Sequence, residues 1–394
     1  MDGAAARSIN KNDLRGALLD AHCRGWELLA DLEPAQWRVP YRSGINPPLW
    51  ELAHVSWFTE WWTLRQQKPL REPGENLRAA PLFPNADPWF DSSIIPHRER
   101  WQLPLPECKV VEDYRDAVLD RAIDELATEA DSDEALYFYR LALFHADMHN
   151  EALAYMRQSL DYAAPSEEWS ALPPLGLEGR DTEIAASHFD AGYAMPGFAF
   201  DNETPVADVS LGAYAIAREP VSNAEFARFV ESGAYADPRW WTEAGRQWFA
   251  SNAGNNAPLR WQRGGSGQWE QRWFGASREL VPAEPVCHVN AFEAEAYCRW
   301  SKRRLPTELE WEYAAINGLI EWGTVWEWTA DAFLPRPGFA AGPYRDYSQP
   351  WFGSHRSVRG ASIATHPRMR HPRYRNFYTP ERNDIFAGFR TCAI

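Results

Sequence analysis

Residues 144–153 read "FHADMHNEAL". His145 and His149 stand four apart in a stretch with helical patterning, so one turn separates them and both imidazoles share a face. A pair so spaced can present two nitrogens to one cation. The shared face continues through Leu141 and Ala152, which turns it toward the interior of a bundle. Two uncompensated imidazoles in a core are costly, and metal coordination resolves that cost. A third ligand is expected from another helix. His54 is the candidate, because it is the one polar residue on the stripe Trp50, Trp57, Trp61. Nitrogen ligands without thiolate suit Zn, Fe, Cu or Ni. Three protein ligands leave positions open for a reaction. HExxH is absent, since Ala146, Asp147 and Met148 fill the interval, so a metalloprotease arrangement is excluded. Helical phase turns Asp147 away from the pair, and it is read as a solvated acid.

The elements that must carry these residues follow from periodicity. Residues 12–31 place Leu14, Leu18, Ala21, Gly25 and Leu28 on one face of a helix. Pro47 and Pro48 open a second helix, where proline is tolerated. On it Trp50, His54, Trp57, Trp61 and Leu64 recur at helical spacing. A long proline-containing connection spans 68–108. A third helix is expected over 110–130. A fourth begins near Asp131, taken as N-cap with Glu134 three residues on, and runs to Tyr162. Four helices with one long crossover predict a bundle. Composition shifts at "APSEEWSALPPLGLEG", a Pro-, Gly- and Ser-rich linker. Beyond it come short β-type runs with two clear helices, 222–232 and 291–302, and a loop tip at "GGSG" (264–267). The expected architecture is an α+β multidomain protein, with a helical domain over 1–165 and an irregular α+β domain over 166–394.

Bulk properties narrow the function. A length of 394 residues suits two domains. The net charge of −15 argues against nucleic acid and against an anionic membrane surface. No run approaches a membrane span. The opening "MDGAAARSINKNDL" lacks an apolar signal core. The five cysteines, Cys23, Cys108, Cys287, Cys298 and Cys392, are scattered without CxxC spacing. Reduced thiols in a cytoplasmic protein are expected. Twenty-one tryptophans also suit an aromatic-lined pocket for a small molecule.

"PPLWELAHVSWFTEWW" followed by "HADMH" resembles the DinB-like four-helix bundle of the ergothioneine sulfoxide synthase and selenoneine synthase family. "REPVSNAEFARFV", "PVCHVNAFEAEAYCRWSKRRLPTELEWEYAA", "VWEWTADAF", "SVRGASIATHP" and "YRNFYTPERNDIFAGFR" resemble the formylglycine-generating-enzyme-like (C-type-lectin-like) domain attached to it. The resemblance implies non-haem Fe(II) held by His54, His145 and His149. It implies O2-dependent attachment of sulfur or selenium to the imidazole of hercynine, a trimethylated histidine betaine. Aromatic faces hold a trimethylammonium well. Tyr344 and Tyr347 match the position of the family's active-site tyrosines, with Tyr344 favoured as proton donor. The site would then lie between the two domains.

Some positions depart from the family pattern. Asn376, Phe377 and Tyr378 stand where the family commonly has Asn-Trp-Asp, and Met148 stands where it often has Gln. These are the expected substrate contacts. Arg98 and Arg100 of "PHRERW" would meet the carboxylates of a cysteine or γ-glutamylcysteine donor. A selenosugar, the donor of the selenoneine branch, is neutral, and the altered motif resembles that branch more. Thr324 replaces the Asn of the family's GNVWEW string, so the resemblance does not extend to a structural calcium. Arg304, Glu308 and Glu310 are read as builders of the fold. The expected protein is a monomer acting on small molecules. A copper-dependent formylglycine-generating oxidase lacks its close cysteine pair here. A non-catalytic module binding a small ligand or a carbohydrate would tolerate loss of the histidines.

Overall fold

The computed structural model describes residues 1–65, 79–176, 181–193, 196–252 and 256–394. The chain forms two compact units, one helical and one of mixed helix and strand, which makes it an α+β multidomain protein. The first holds Met1–Leu160, a short piece at Gly197 and Phe198, and Thr365–Met369. A single division of the sequence near residue 165 does not contain those two later pieces.

The first unit carries α1 (Gly3–Arg7), α2 (Lys11–Glu27), α3 (Pro48–Thr59), α4 (Ala86–Phe90), α5 (Cys108–Thr128) and α6 (Asp133–Ser159). Helices α2, α3, α5 and α6 pack on one another as a bundle. Leu14, Leu18 and Ala21 of α2 meet Leu119 and Leu126 of α5 and Leu136, Tyr139 and Leu143 of α6 in one core cluster. Pro48 opens α3 at its first position. The helix continues through a π-helical turn, Glu60–Leu64. Helix α6 starts one residue later than expected. Ser132, in extended conformation, is the N-cap and its hydroxyl accepts from the Ala135 N–H at 3.3 Å. Asp131 instead accepts from the Lys11 N–H at 3.0 Å, which ties the start of α2 to the start of α6. Of the connection expected over 68–108, residues 68–78 lie outside the described residues. The rest contains α4 and a 3-10 turn, His97–Trp101.

The two later pieces complete this unit. Gly197 (φ +100°) brings the backbone so close to the Arg7 carbonyl that a Cβ would sit 2.4 Å from that oxygen. The Phe198 N–H then donates to Arg7 at 2.7 Å. Arg368 donates twice to Asp147 of α6, at 2.6 and 2.8 Å, and once to Asp20 of α2 at 2.5 Å. Thr365 donates to Glu151 at 2.7 Å. Asp147 is therefore not the solvated acid expected from helical phase. It is 2% exposed, because a guanidinium from far along the chain covers the outer face of α6.

In the second unit one sheet has strands Asp181–Ile184, Tyr214–Ala217, Cys392–Ala393 and Arg303–Arg304 in that order. Another runs Asn376–Tyr378, Arg356–Gly360, Trp326–Ala332 and Ala387–Gly388. The "GGSG" tip joins strands Trp261–Arg263 and Trp269–Trp273. The helices are α7 (Asn223–Glu231), α8 (Glu243–Ser251), α9 (Ala291–Ser301) and α10 (Glu308–Ile316). Ser222 and Asn290 cap α7 and α9 in reciprocal capping boxes with Glu225 and Glu293. Glu308 and Glu312 of α10 are buried against Arg359, Arg375 and Arg336. Burial raises the Glu308 pKa, but Arg375 and Arg359 outweigh it and hold the carboxyl down at about 2. Arg390 grips Glu327, which also accepts from the Trp311 indole at 2.8 Å. Arg304 pairs with Glu310 at 2.7 Å. The charged letters of "RRLPTELEWEYAA" thus build the fold.

Candidate metal centre

Helix α3 delivers His54, and α6 delivers His145 and His149. The ligand-capable nitrogens of the three lie within 4.8 Å of one another. His145 Nε2 and His149 Nε2 are 3.1 Å apart. His54 and His145 are 2% exposed, and His149 is half-buried. Trp50 stacks on His54 at 4.8 Å between centroids with planes 7° apart, and Phe58 stacks on His145. Burial pushes the pKa of His54 and His145 down, aided by the nearby histidines, so both are neutral.

The outer contacts set the tautomers. His54 Nδ1 donates to the Phe90 carbonyl at 2.7 Å. His149 Nδ1 faces Glu51 Oε1 at 2.5 Å. In each ring the protonated Nδ1 leaves the Nε2 lone pair directed inward. Two nitrogens at ~2.1 Å from one ion and at right angles lie about 3 Å apart, close to the His145–His149 spacing. The donor set fits a divalent transition metal with open positions. The crossover segment positions the aromatic stripe. The Trp50 indole donates to the Trp89 carbonyl at 2.7 Å, and the Trp57 indole to Asp87 at 2.7 Å.

Other expected site residues fall in varied places. Met148 is half-buried beside His149. Arg98 lies over the Tyr41 ring at 5.3 Å. Arg100 lies over the Trp50 ring at 4.0 Å and donates to Asn46 Oδ1 at 2.7 Å. In the second unit Tyr344 is half-buried. Tyr347 is interior, stacked on Phe200 at 4.5 Å with its hydroxyl 3.2 Å from that of Tyr374. Burial, with Tyr374 beside it, drives its pKa well up. Strand alternation puts Phe377 opposite Asn376 and Tyr378. Phe377 packs on Phe333 at 4.1 Å, so the three do not line one face. Sequence reading missed Glu51. Its signal was a glutamate one turn before His54 in "LWELAH", on the same side of α3.

The second unit matches the sulfatase-modifying factor enzyme 1-like domain over residues 182–322 and 318–393. The formylglycine-generating enzyme of Streptomyces coelicolor is 30% identical over 59% of this chain and 95% of its own length. This chain thus carries a three-histidine helical bundle and such a domain in one sequence. The hercynine oxygenase of Mycolicibacterium thermoresistibile is 32% identical, over 97% of this chain and 94% of that protein. That of Mycobacterium tuberculosis is 32% identical over 92% and 94%. The chain belongs to the hercynine oxygenase family. Among the described residues no helix is long and apolar enough to cross a membrane.

Proposed function

We propose that the protein uses Fe(II), held by His54, His145 and His149, for O2-dependent attachment of selenium to the imidazole of hercynine, with a selenosugar as donor. The observation that carries this reading is the convergence of three imidazoles, one of them backed by a carboxylate. The names of the relatives supply the substrate class. Iron in this donor set would supply the redox chemistry that lets O2 act as oxidant. Joining an imidazole C–H to a chalcogen–H removes two electrons and two protons. O2 accepts four electrons, so the other two come from the chalcogen, which stays bonded to the ring carbon as its oxide while the second oxygen atom leaves as water.

The chain's own groups bind and move protons. Tyr344 is assigned as the proton donor, since the interior hydroxyl of Tyr347 is engaged with Tyr374. Asn376 and Tyr378, which share a strand face, are assigned to hercynine, with Met148 as a polarisable wall. Phe377 shapes that surface from behind. Arg98 is the cation left for the donor once Arg100 is committed to Asn46 and Trp50. The departure at Phe377 and Tyr378 from the Asn-Trp-Asp pattern is what favours a neutral sugar donor. The second reading, a cysteine or γ-glutamylcysteine donor, is favoured by the shared family of the hercynine oxygenases.

The test is an anaerobically iron-loaded assay with hercynine and each donor in turn, with O2 admitted and products read by mass spectrometry. Product with selenosugar or thiosugar alone supports the proposal. Product only with a cysteine donor moves the protein to the second reading. Tyr344→Phe is expected to keep its iron and lose product, and undiminished yield rejects that assignment. His149→Ala is expected to lose both iron and turnover.

A further inference from the structure

Glu51 is 2% exposed, and its two oxygens have separate partners. Oε1 meets His149 Nδ1 and Oε2 accepts from Asn46 Nδ2, each at 2.5 Å. Asn46 Oδ1 in turn accepts from Arg100 at 2.7 Å. The Arg100 guanidinium carbon lies 4.0 Å from the Trp50 ring centre, and Trp50 stacks on His54. The contacts therefore run from one histidine of the cluster to another: His149, Glu51, Asn46, Arg100, Trp50, His54. A buried carboxylate is costly unless opposite charge reaches it. Here Asn46 is neutral and Arg100 stands one residue beyond it. A cation held by His149 would bring positive charge to Glu51 through that ring.

We propose that Glu51 is the positioning residue of the metal centre, and that Asn46, Arg100 and Trp50 form a brace that fixes both Glu51 and His54. This rests on the three-histidine metal site of the proposed function. It reassigns Arg100 from the donor to the ligand set. A carboxylate on the far nitrogen of a ligating imidazole fixes its tautomer and raises its basicity. Glu51 does this for His149, the ligand most open to solvent. The stack on Trp50 orients His54, whose own far nitrogen is held by the Phe90 carbonyl.

The test is titration of the metal-stripped full-length protein with Co(II), reading ligand-field absorption, and the midpoint potential of the iron-loaded form. Glu51→Gln keeps the shape and removes the charge. It is expected to retain the thermal midpoint, weaken Co(II) binding about 10–100-fold, shift the bands and raise the iron potential. Wild-type affinity and spectrum in Glu51→Gln overturn the proposal. Asn46→Ala leaves the Glu51–His149 contact in place and is expected to give a smaller loss, which keeps the test decisive if Glu51→Gln does not fold. Arg100→Lys should weaken metal binding and leave the donor KM unchanged. A raised donor KM with intact Co(II) affinity returns Arg100 to the donor and overturns the brace. Failure of the functional reading looks different. The wild type would bind Co(II) through His149 and yet not turn over hercynine, while the Glu51 effects persist.

Discussion

A histidine announces itself by type, and its spacing says which way it faces. That is why His145, His149 and His54 could be assembled before any coordinates. Glu51 could not be told from the many glutamates that decorate helix surfaces, because its role depends on a partner 98 positions away. Glu293 was hidden in the same way. It sits at the start of α9, accepting from the Asn290 N–H at 2.8 Å and the Tyr235 hydroxyl at 2.7 Å. Burial pushes its pKa from 4.5 up to about 7 despite both bonds. The folded chain thus keeps a proton that the unfolded chain releases. Its contribution is full below about pH 4.5 and is lost as pH rises through about 7. The loss is up to ~3 kcal/mol. Thermal midpoints of the wild type should fall between pH 5 and 8, and Glu293→Gln should flatten that fall. Parallel curves for the two proteins contradict it.

Long helices were readable, because a 3.6-residue period persists over many turns. Helix α6 has 27 residues and α5 has 21, and both were expected within a few positions. Helices α8 and α10 have nine residues each and were missed. The capping box of Thr307 and Glu310 was a usable signal for α10. Strands of two to five residues, such as Arg303–Arg304 and Asn376–Tyr378, are too short for alternation to register. Sequence also cannot show that the outer side of α6 is covered. Arg368→Ala strands Asp147 and should destabilise the bundle by about 3–5 kcal/mol. Adding Asp147→Leu should restore much of that, since no buried charge then lacks a partner. A double-mutant cycle on thermal midpoints checks it, and additive losses argue against a coupled pair.

At the scale of the molecule, the order of motifs along the chain was enough to indicate the family, even though each string alone is weak. The discontinuous composition of the first unit was not, because Gly197, Phe198 and Arg368 look like ordinary members of the later sequence. A fragment ending before Thr365 should carry all three histidines yet melt lower and hold Co(II) more weakly than the full chain. Equal melting and affinity would reject a role for those pieces. The Arg368–Asp147 pair spans 221 positions. At ~5–20 residues per second on the ribosome, about 10–40 s separate the appearance of the acid from that of its guanidinium. A nascent chain therefore exposes its histidines long before the helix bearing two of them is clamped. Synthesis past Arg368 becomes the event that clamps this helix, so a chain cut before that arginine is expected to be weakened at residues it still contains.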